Sequence, residues 1–286
     1  MAYINIGDNA AQVVKYWSER ATTQLREKLL LGGIVNKDRG SEILKGGDTV
    51  KIYTVEAPTA GVTTVGTANS NVFTASPVTT ASVDLKIDRL ATAAYEFSSE
   101  NEMLSLLNSQ NPEVMQSLVF AVEKAINTHL YSVIIPSVAA PDHTIGSVTN
   151  FDNSQLLACR LLAATAKWDT MKPWYALLDP SYYNDQLSAT TNVSSDFVPD
   201  APIVGGQIRA QRYGFTVIED NSLSTDVAYL LHPDAVNFVM ASELQVKFSD
   251  LHSNLKHGVV MSVSCHYGAA LGISGSIKCI KVTAAA

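Results

Sequence analysis

The stretch from Gly47 to Phe97 constrains this chain most, because it reads as a long two-stranded arm with nothing of its own to fold against. Its first half, Asp48-Thr-Val-Lys-Ile-Tyr-Thr-Val55, alternates as a strand does. In its second half Val83, Leu85 and Ile87 interleave with Ser82, Asp84, Lys86 and Asp88. A tip rich in Thr, Ala, Ser and Gly, from Pro58 to Thr80, separates the halves. Two strands bury too little surface to offset the ordering of their own chain, so an isolated hairpin is marginal in water. At about 3.3 Å per residue, ~20 residues a side would reach roughly 60 Å. That is more than a domain of this size needs internally, so the arm reads as a device for holding neighbouring subunits.

Composition agrees with a surface that meets other protein. Of 286 residues, 47% are hydrophobic and 16% charged, a low charge density for a chain that faces only water. The net charge of −7 argues against a nucleic-acid reader, which needs a basic face to neutralise phosphates. It leaves open a shell that encloses nucleic acid without sequence-specific contact. Cys159, Cys265 and Cys279 are too few and too far apart for a disulfide framework, which fits folding in a reducing cytoplasm. The first residues lack the basic start and apolar run of a signal peptide. No window approaches 18 unbroken apolar residues, so no membrane partner is expected.

Along the chain, residues 9–31 read as a helix, capped by Asp8 or Asn9 and ended by Gly32-Gly33. Ala91 to Phe97 continues the arm as strand. The clearest helix follows, over 111–135. Asn111 caps it, Pro112 takes the first helical position and Pro136 stops it. Val114, Leu118, Val122, Ala125, Ile126, His129, Leu130 and Val133 share one stripe of this ~36 Å rod. From Phe151 the grammar changes to alternating helices and strands. A helix capped by Asp152 or Asn153 runs through Leu156, Leu157, Leu161, Leu162 and Ala166. Strands are expected at Trp174–Leu178, Arg212–Glu219 and Ala228–Leu231, with short helices after Asp179-Pro180 and over Pro233–Ala241. Residues 188–206 read as a loop, and strand runs cover Val259–Tyr267 and Ala269–Val282.

The residue types that carry chemistry elsewhere are better explained here by structure. Gly272-Ile-Ser-Gly-Ser276 has its second glycine one position early for a nucleophile elbow. Gly205-Gly206 lacks the third glycine of a dinucleotide site. His143, His232, His252, His257 and His266 show no metal-ligand spacing, and His129 reads as a satisfied core histidine. Asp84, Lys86 and Asp88 read as an ion-paired outer face of a strand. Cys159 sits beside Leu161 and Leu162 as a small hydrophobe. The expected site list is therefore empty: no catalytic residue, no cofactor-binding residue, no metal ligand and no cofactor.

An ordered set of segments carries a resemblance. Trp174-Tyr-Ala-Leu-Leu-Asp-Pro-Ser-Tyr-Tyr183, Gly205-Gly-Gln-Ile-Arg209, Tyr213-Gly-Phe-Thr-Val-Ile-Glu-Asp-Asn-Ser-Leu223 and Leu230-Leu-His-Pro-Asp-Ala-Val236 resemble the axial domain of tailed-bacteriophage major capsid proteins, which have the Hong Kong 97-type fold. Gly47-Asp-Thr-Val-Lys-Ile52 resembles the lead-in to that fold's extended loop. Leu85-Lys-Ile-Asp88, Ala93-Ala-Tyr-Glu-Phe97 and the long helix resemble its return strand and spine helix. The resemblance covers about residues 47–282 and implies an α+β chain that is not an enzyme. Its parts would be an N-terminal arm (1–46), an extended loop (47–97), a peripheral domain (98–150 and 258–286, with the spine helix at 111–135) and an axial domain (151–257). The implied function is a structural shell subunit, assembled in the host bacterial cytoplasm. Pentamers and hexamers of it would close into an icosahedral virion capsid around double-stranded DNA. The implied partners are further copies of the chain in neighbouring capsomers, a separate scaffolding protein, a portal and cement proteins. An encapsulin-type nanocompartment shares the fold and is the alternative, ahead of a soluble α+β enzyme. The lysine, asparagine and glutamate positions used for self-crosslinking in the founding member have no match here, so crosslinking is not carried over.

Overall fold

The computed structural model describes residues 30–38, 49–58, 60, 77–98, 112–189, 211–241, 245–250 and 258–284. It divides into two compact units. The smaller comprises Met1–Arg26, Thr92–Val122 and Leu244–Ser264, and the larger Glu27–Ala91, Glu123–Glu243 and Cys265–Ala286.

In the larger unit a six-stranded sheet grows from the most apolar run of the chain, β5 (Trp174–Leu178). Its order is β4 (Thr144–Ile145), β12 (Cys279–Thr283), β8 (Val227–Leu231), β5, β7 (Phe215–Glu219), β6 (Gln211–Arg212). β5 runs parallel to β7 and antiparallel to β8. Successive side chains of a strand point to opposite faces, and the core follows that period. Trp174, Ala176, Leu178, Phe215, Val217, Ala228, Leu230, Ile280 and Val282 form one buried face. Two helices supply its cover: Leu156, Cys159 and Ala163 from Asn153–Thr165, and Tyr182 from Pro180–Ser188. Tyr229 turns to the other face, where Tyr131 meets it with ring centroids 5.3 Å apart.

Both covering helices start where their capping residues dictate. Asp152 accepts from the amides of Ser154 and Gln155 at 2.9 and 3.2 Å. Asp179, ahead of Pro180, accepts from Ser181 and Tyr182. These bonds satisfy the amide donors that a helix start leaves free. Asp179 is 1% exposed, and it also accepts from the Asp226 amide at 2.9 Å, which ties the helix to the turn before β8. The first covering helix shows more apolar residues than it buries: Leu156 is buried, whereas Leu157 and Leu161 are exposed.

Numbered in chain order with these two as α3 and α4, α2 is the long helix Pro112–Val133, within the expected 111–135. Leu118 and Val122 are buried in the smaller unit, and Ile126 and Leu130 in the larger, while Ala125 of the expected stripe is exposed. Asn111, the expected cap, lies outside the described residues. So do residues 9–29 of the expected first helix; at its end, Leu31–Ile34 forms a single helical turn, α1, that includes Gly32 and Gly33.

β11 (Gly258–Leu271) pairs antiparallel with β10 (Gln245–Asp250) over its first half, in the smaller unit. Over its second half, in the larger unit, it pairs with β9 (Val236–Met240). Three expectations change here. Pro233–Ala241 is not one helix: a 3-10 turn over Pro233–Ala235 passes into β9, because Val236, Phe238 and Val239 are β-formers with a partner strand. Gly268 does not interrupt the strand. It makes room, since a Cβ there would lie 2.1 Å from the Lys86 carbonyl oxygen. The break comes instead over Gly272–Lys278, with a 3-10 turn at Gly275–Ile277.

The ladder also redraws the expected 47–97 and 258–286 boundaries. β3 (Arg89–Ser98) does not continue the hairpin but joins the sheet of β11. β4, expected in the peripheral segment 98–150, and β12, expected in 258–286, hydrogen-bond into the six-stranded sheet with β8, β5 and β7.

Candidate assembly surface

The arm is present as a two-stranded sheet of its own. β1 (Thr49–Val55) and β2 (Thr80–Lys86) pair antiparallel from Thr49 opposite Lys86 to Val55 opposite Thr80. The ladder continues one step further, with the Glu56 amide donating to the Thr79 carbonyl at 3.0 Å. Each strand has seven residues, about 23 Å. Residues 61–76 of the expected tip lie outside the described residues, so the roughly 60 Å reach is an expectation only.

The alternation that marked the arm in sequence anchors one end and not the other. Leu85 and Ile87 are buried against Val239 of β9, with Val50, Ile52, Ala241 and Ala270 packed around them. The arm therefore does fold against its own unit, at its root. Further out, apolar side chains have no cover: Tyr53 is 70% exposed, Val55 59% and Val78 76%. Val55, Glu56, Ala57 and Pro58 on one side, with Pro77, Val78 and Thr79 on the other, line a shallow concavity at the far end of the described ladder. The outer face is charged and exposed. Asp84 stands opposite Lys51 in the register, and Asp88 pairs with Arg89 at 3.8 Å. Exposed pairs of that kind contribute little to stability.

The residues weighed for chemistry are dispersed. Ser274 occupies a left-handed turn (φ 57°) at the start of the 3-10 turn. Gly205-Gly206, His252 and His257 lie outside the described residues. His143 and His232 are buried, while His266 is exposed on β11. His129 is half-buried with its ring edge-on to Tyr267 at 5.5 Å, and burial, together with the Arg89 charge, holds its pKa below the ordinary value. Its Nδ1 has no hydrogen-bond partner, so it is a packed histidine rather than the satisfied one expected. All three cysteines are buried and free. Burial pushes the Cys159 and Cys279 thiols up to about 12 and raises Cys265, the opposite of what a nucleophile needs. Among the described residues no group of three or more His, Cys, Asp or Glu side chains is placed to hold a metal, and no helix is long and apolar enough to cross a membrane.

Sequence reasoning found the hairpin, its alternation and Leu85. It missed what the root docks on. The sequence pattern places Val239 in a helix and leaves Gly268 as a gap between strands. Neither carries a local signal, because both roles exist only once β9, β11 and the Lys86 backbone are brought together.

The fold is that of phage capsid chains. A chain of Mycobacterium phage Che8 superposes with a TM-score of 0.76 at 16% identity, over 98% of both chains. The capsid of cyanophage P-SCSP1u gives 0.75 at 14% identity, over 99% of this chain and 95% of that one. The cyanophage Pam1 capsid gives 0.72 at 13% identity, over 96% and 97%. No protein-family profile matches the sequence, and no curated protein does. The α+β class and the capsid-type architecture expected from the ordered segments hold over nearly the whole length.

Proposed function

We propose that this chain is the structural major capsid protein of a tailed phage, a subunit whose work is mechanical rather than catalytic. One observation carries the reading: a fold shared end to end with phage capsid chains carries exposed apolar side chains, Tyr53, Val55 and Val78, along the described part of its arm. Symmetric shells reuse the same surfaces in every copy, so each subunit lays its hairpin on a neighbour. Pentamers and hexamers then close into an icosahedral shell around double-stranded DNA. The acidic balance of the chain suits enclosure without sequence-specific contact. The spine helix α2 braces the peripheral region, and the six-stranded sheet forms the axial region at capsomer centres. A scaffolding protein, a portal and cement proteins complete the partner set. Assembly takes place in the host cytoplasm, and the finished location is the virion.

The experiment is electron microscopy and light scattering of the purified chain, alone and with the scaffolding protein of its own gene neighbourhood, beside a variant lacking residues 58–79. Closed particles from the parent and folded, non-assembling subunits from the deletion are expected. A stable monomer under every condition would overturn the reading. Normal shells from the deletion would overturn the role of the arm. Shells that hold a cargo enzyme instead of DNA would mark a nanocompartment.

A further inference from the structure

Beyond the shell reading, we infer that the turn His232–Val236 is an acid-sensitive latch that fastens the root of the arm. His232 follows β8 and caps the 3-10 turn that leads into β9. Its Nδ1 accepts from the Asp234 amide at 3.2 Å, so this nitrogen carries no proton. The ring is 2% exposed and lies edge-on to Trp168 at 6.1 Å, and its Nε2 is buried without a hydrogen-bond partner.

Several segments meet at this turn. The His232 amide donates to the Lys278 carbonyl at 3.0 Å, and the Gly272 amide to the Ala235 carbonyl at 2.8 Å. The Asn36 amide donates to the Val236 carbonyl at 3.1 Å, and the Phe238 amide returns a bond to the Asn36 carbonyl at 2.9 Å. The Asp234 carboxylate accepts from Lys172 Nζ at 2.8 Å through both oxygens, and from Asn36 Nδ2 at 3.4 Å. The turn thus holds the segment ahead of the arm, the loop before β12 and the start of β9, the strand whose Val239 packs against Leu85 and Ile87.

Protonation inverts the capping bond. A charged imidazole is a donor at both nitrogens, so Nδ1–H would face the Asp234 N–H while Nε2–H stayed buried and unpaired. The charged groups around the ring are Asp234 on its own turn, Asp169 after α3, Lys172 ahead of β5 and Lys278 ahead of β12. The nearest carboxylate oxygen, Asp234 Oδ2, is 3.8 Å from Nδ1 and already bound to Lys172. A second cation would have to compete for it.

The linkage has a definite sign. Burial, opposed by Asp234 and reinforced by Lys278 and Lys172, holds the folded His232 pKa below the ordinary histidine value. The unfolded chain takes up its proton below about pH 6.5, while the folded chain does not until lower pH. Stability is therefore full above that value and falls through the window beneath it, by at most about tenfold in the folded-to-unfolded ratio per pH unit. His129, facing Arg89 and Asp88, adds a loss of the same sign, so the test must isolate His232.

The test is thermal melting of the full chain, as unassembled subunit, from pH 7.5 to 5. The parent is compared with His232→Asn, which keeps an oxygen to cap the turn but cannot titrate, and with Lys172→Met. Hydrogen exchange of the Asn36, Asp234, Phe238 and Gly272 amides, corrected for intrinsic rate, reports the latch directly. Acid should speed exchange at these four in the parent and leave it unchanged in His232→Asn, whose melting curve should also lose part of its pH slope. Lys172→Met should narrow the window, because removing that cation raises the folded His232 pKa. Should His232→Asn fail to fold, the Lys172→Met window and the parent's exchange decide. Equal pH slopes in parent and both variants, or acid-insensitive exchange at the four amides, would overturn the latch.

Discussion

The six-stranded sheet and the β1–β2 hairpin are built from similar strand-forming residues, yet they use them differently. In the sheet, the apolar residues of β5, β7, β8 and β12 on one face are buried and covered by α3 and α4. Its strands need nothing beyond their own unit. In the hairpin, the same period-2 alternation buries Leu85 and Ile87 at the root and leaves Tyr53, Val55 and Val78 in the open. Two strands alone cannot bury both of their faces. Alternation therefore announces that a strand will have an apolar side, and only the count of neighbouring elements says whether this chain covers it. The contrast separates residues buried within the unit from apolar residues left exposed, and substitutions can test that division one region at a time.

The largest effect on the isolated subunit is expected in the sheet. Phe215 is fully buried and touches both Trp168 and Trp174, with ring centroids at 6.3 and 5.4 Å. Phe215→Ala should cost about 3–5 kcal/mol, measured by urea unfolding of the soluble subunit. A loss under about 1 kcal/mol would mean that the site collapses and that this core is not close-packed.

At the root of the hairpin, Leu85→Ala should cost about 2–5 kcal/mol, because Leu85 is fully buried against Val239. This variant tests whether the root belongs to the subunit at all. An unchanged midpoint would show that the hairpin docks only on assembly, and the contrast drawn above would move inward to β9. A smaller effect is expected at Asp179, whose carboxylate caps α4 and receives the Asp226 amide. Asp179→Ala should cost about 1–3 kcal/mol, the range for leaving buried amide donors unpaired. Asp179→Asn, which keeps an acceptor, should recover most of it. A variant pair with equal losses would assign the effect to packing instead of capping.

Much of this division was legible in sequence where one element settles its own fate. Asp152 and Asp179-Pro180 set helix starts, β5 declared itself by five apolar residues in a row, and Leu118 and Val122 kept helical spacing. What stayed hidden depends on partners far away in the chain. Val236–Met240 is a strand because β11 offers it a ladder. β3 leaves the hairpin because the same sheet recruits it. Gly268 is a contact because the Lys86 carbonyl needs the space. Leu157 and Leu161 show the converse limit: their spacing suits a buried stripe, but Leu156, Cys159 and Ala163 already fill the face that the sheet accepts. The arm was legible as an arm, and its anchoring was not.

The smallest effect on the subunit should come from the exposed part of the described hairpin ladder, and it sharpens the comparison most. Tyr53 is 70% exposed on β1 and stands opposite Ser82. Substitutions away from buried or capping positions shift stability by about 0.5 kcal/mol or less, so Tyr53→Ser should leave the unfolding midpoint of the subunit in place. Serine keeps a hydroxyl but removes the aromatic ring that a neighbour would otherwise cover. If the exposed end of the arm is an interface, the same change should raise the protein concentration needed for shell formation, read by light scattering against the parent at matched scaffold. Aromatic side chains supply large, rigid contact area and are enriched among the residues that dominate interfaces, so a shift of severalfold is expected. A variant that melts like the parent and assembles like the parent would place the working contacts of the arm elsewhere. A variant that melts early would show that Tyr53 is part of the subunit's own fold, and the boundary between root and reach would have to be drawn further out.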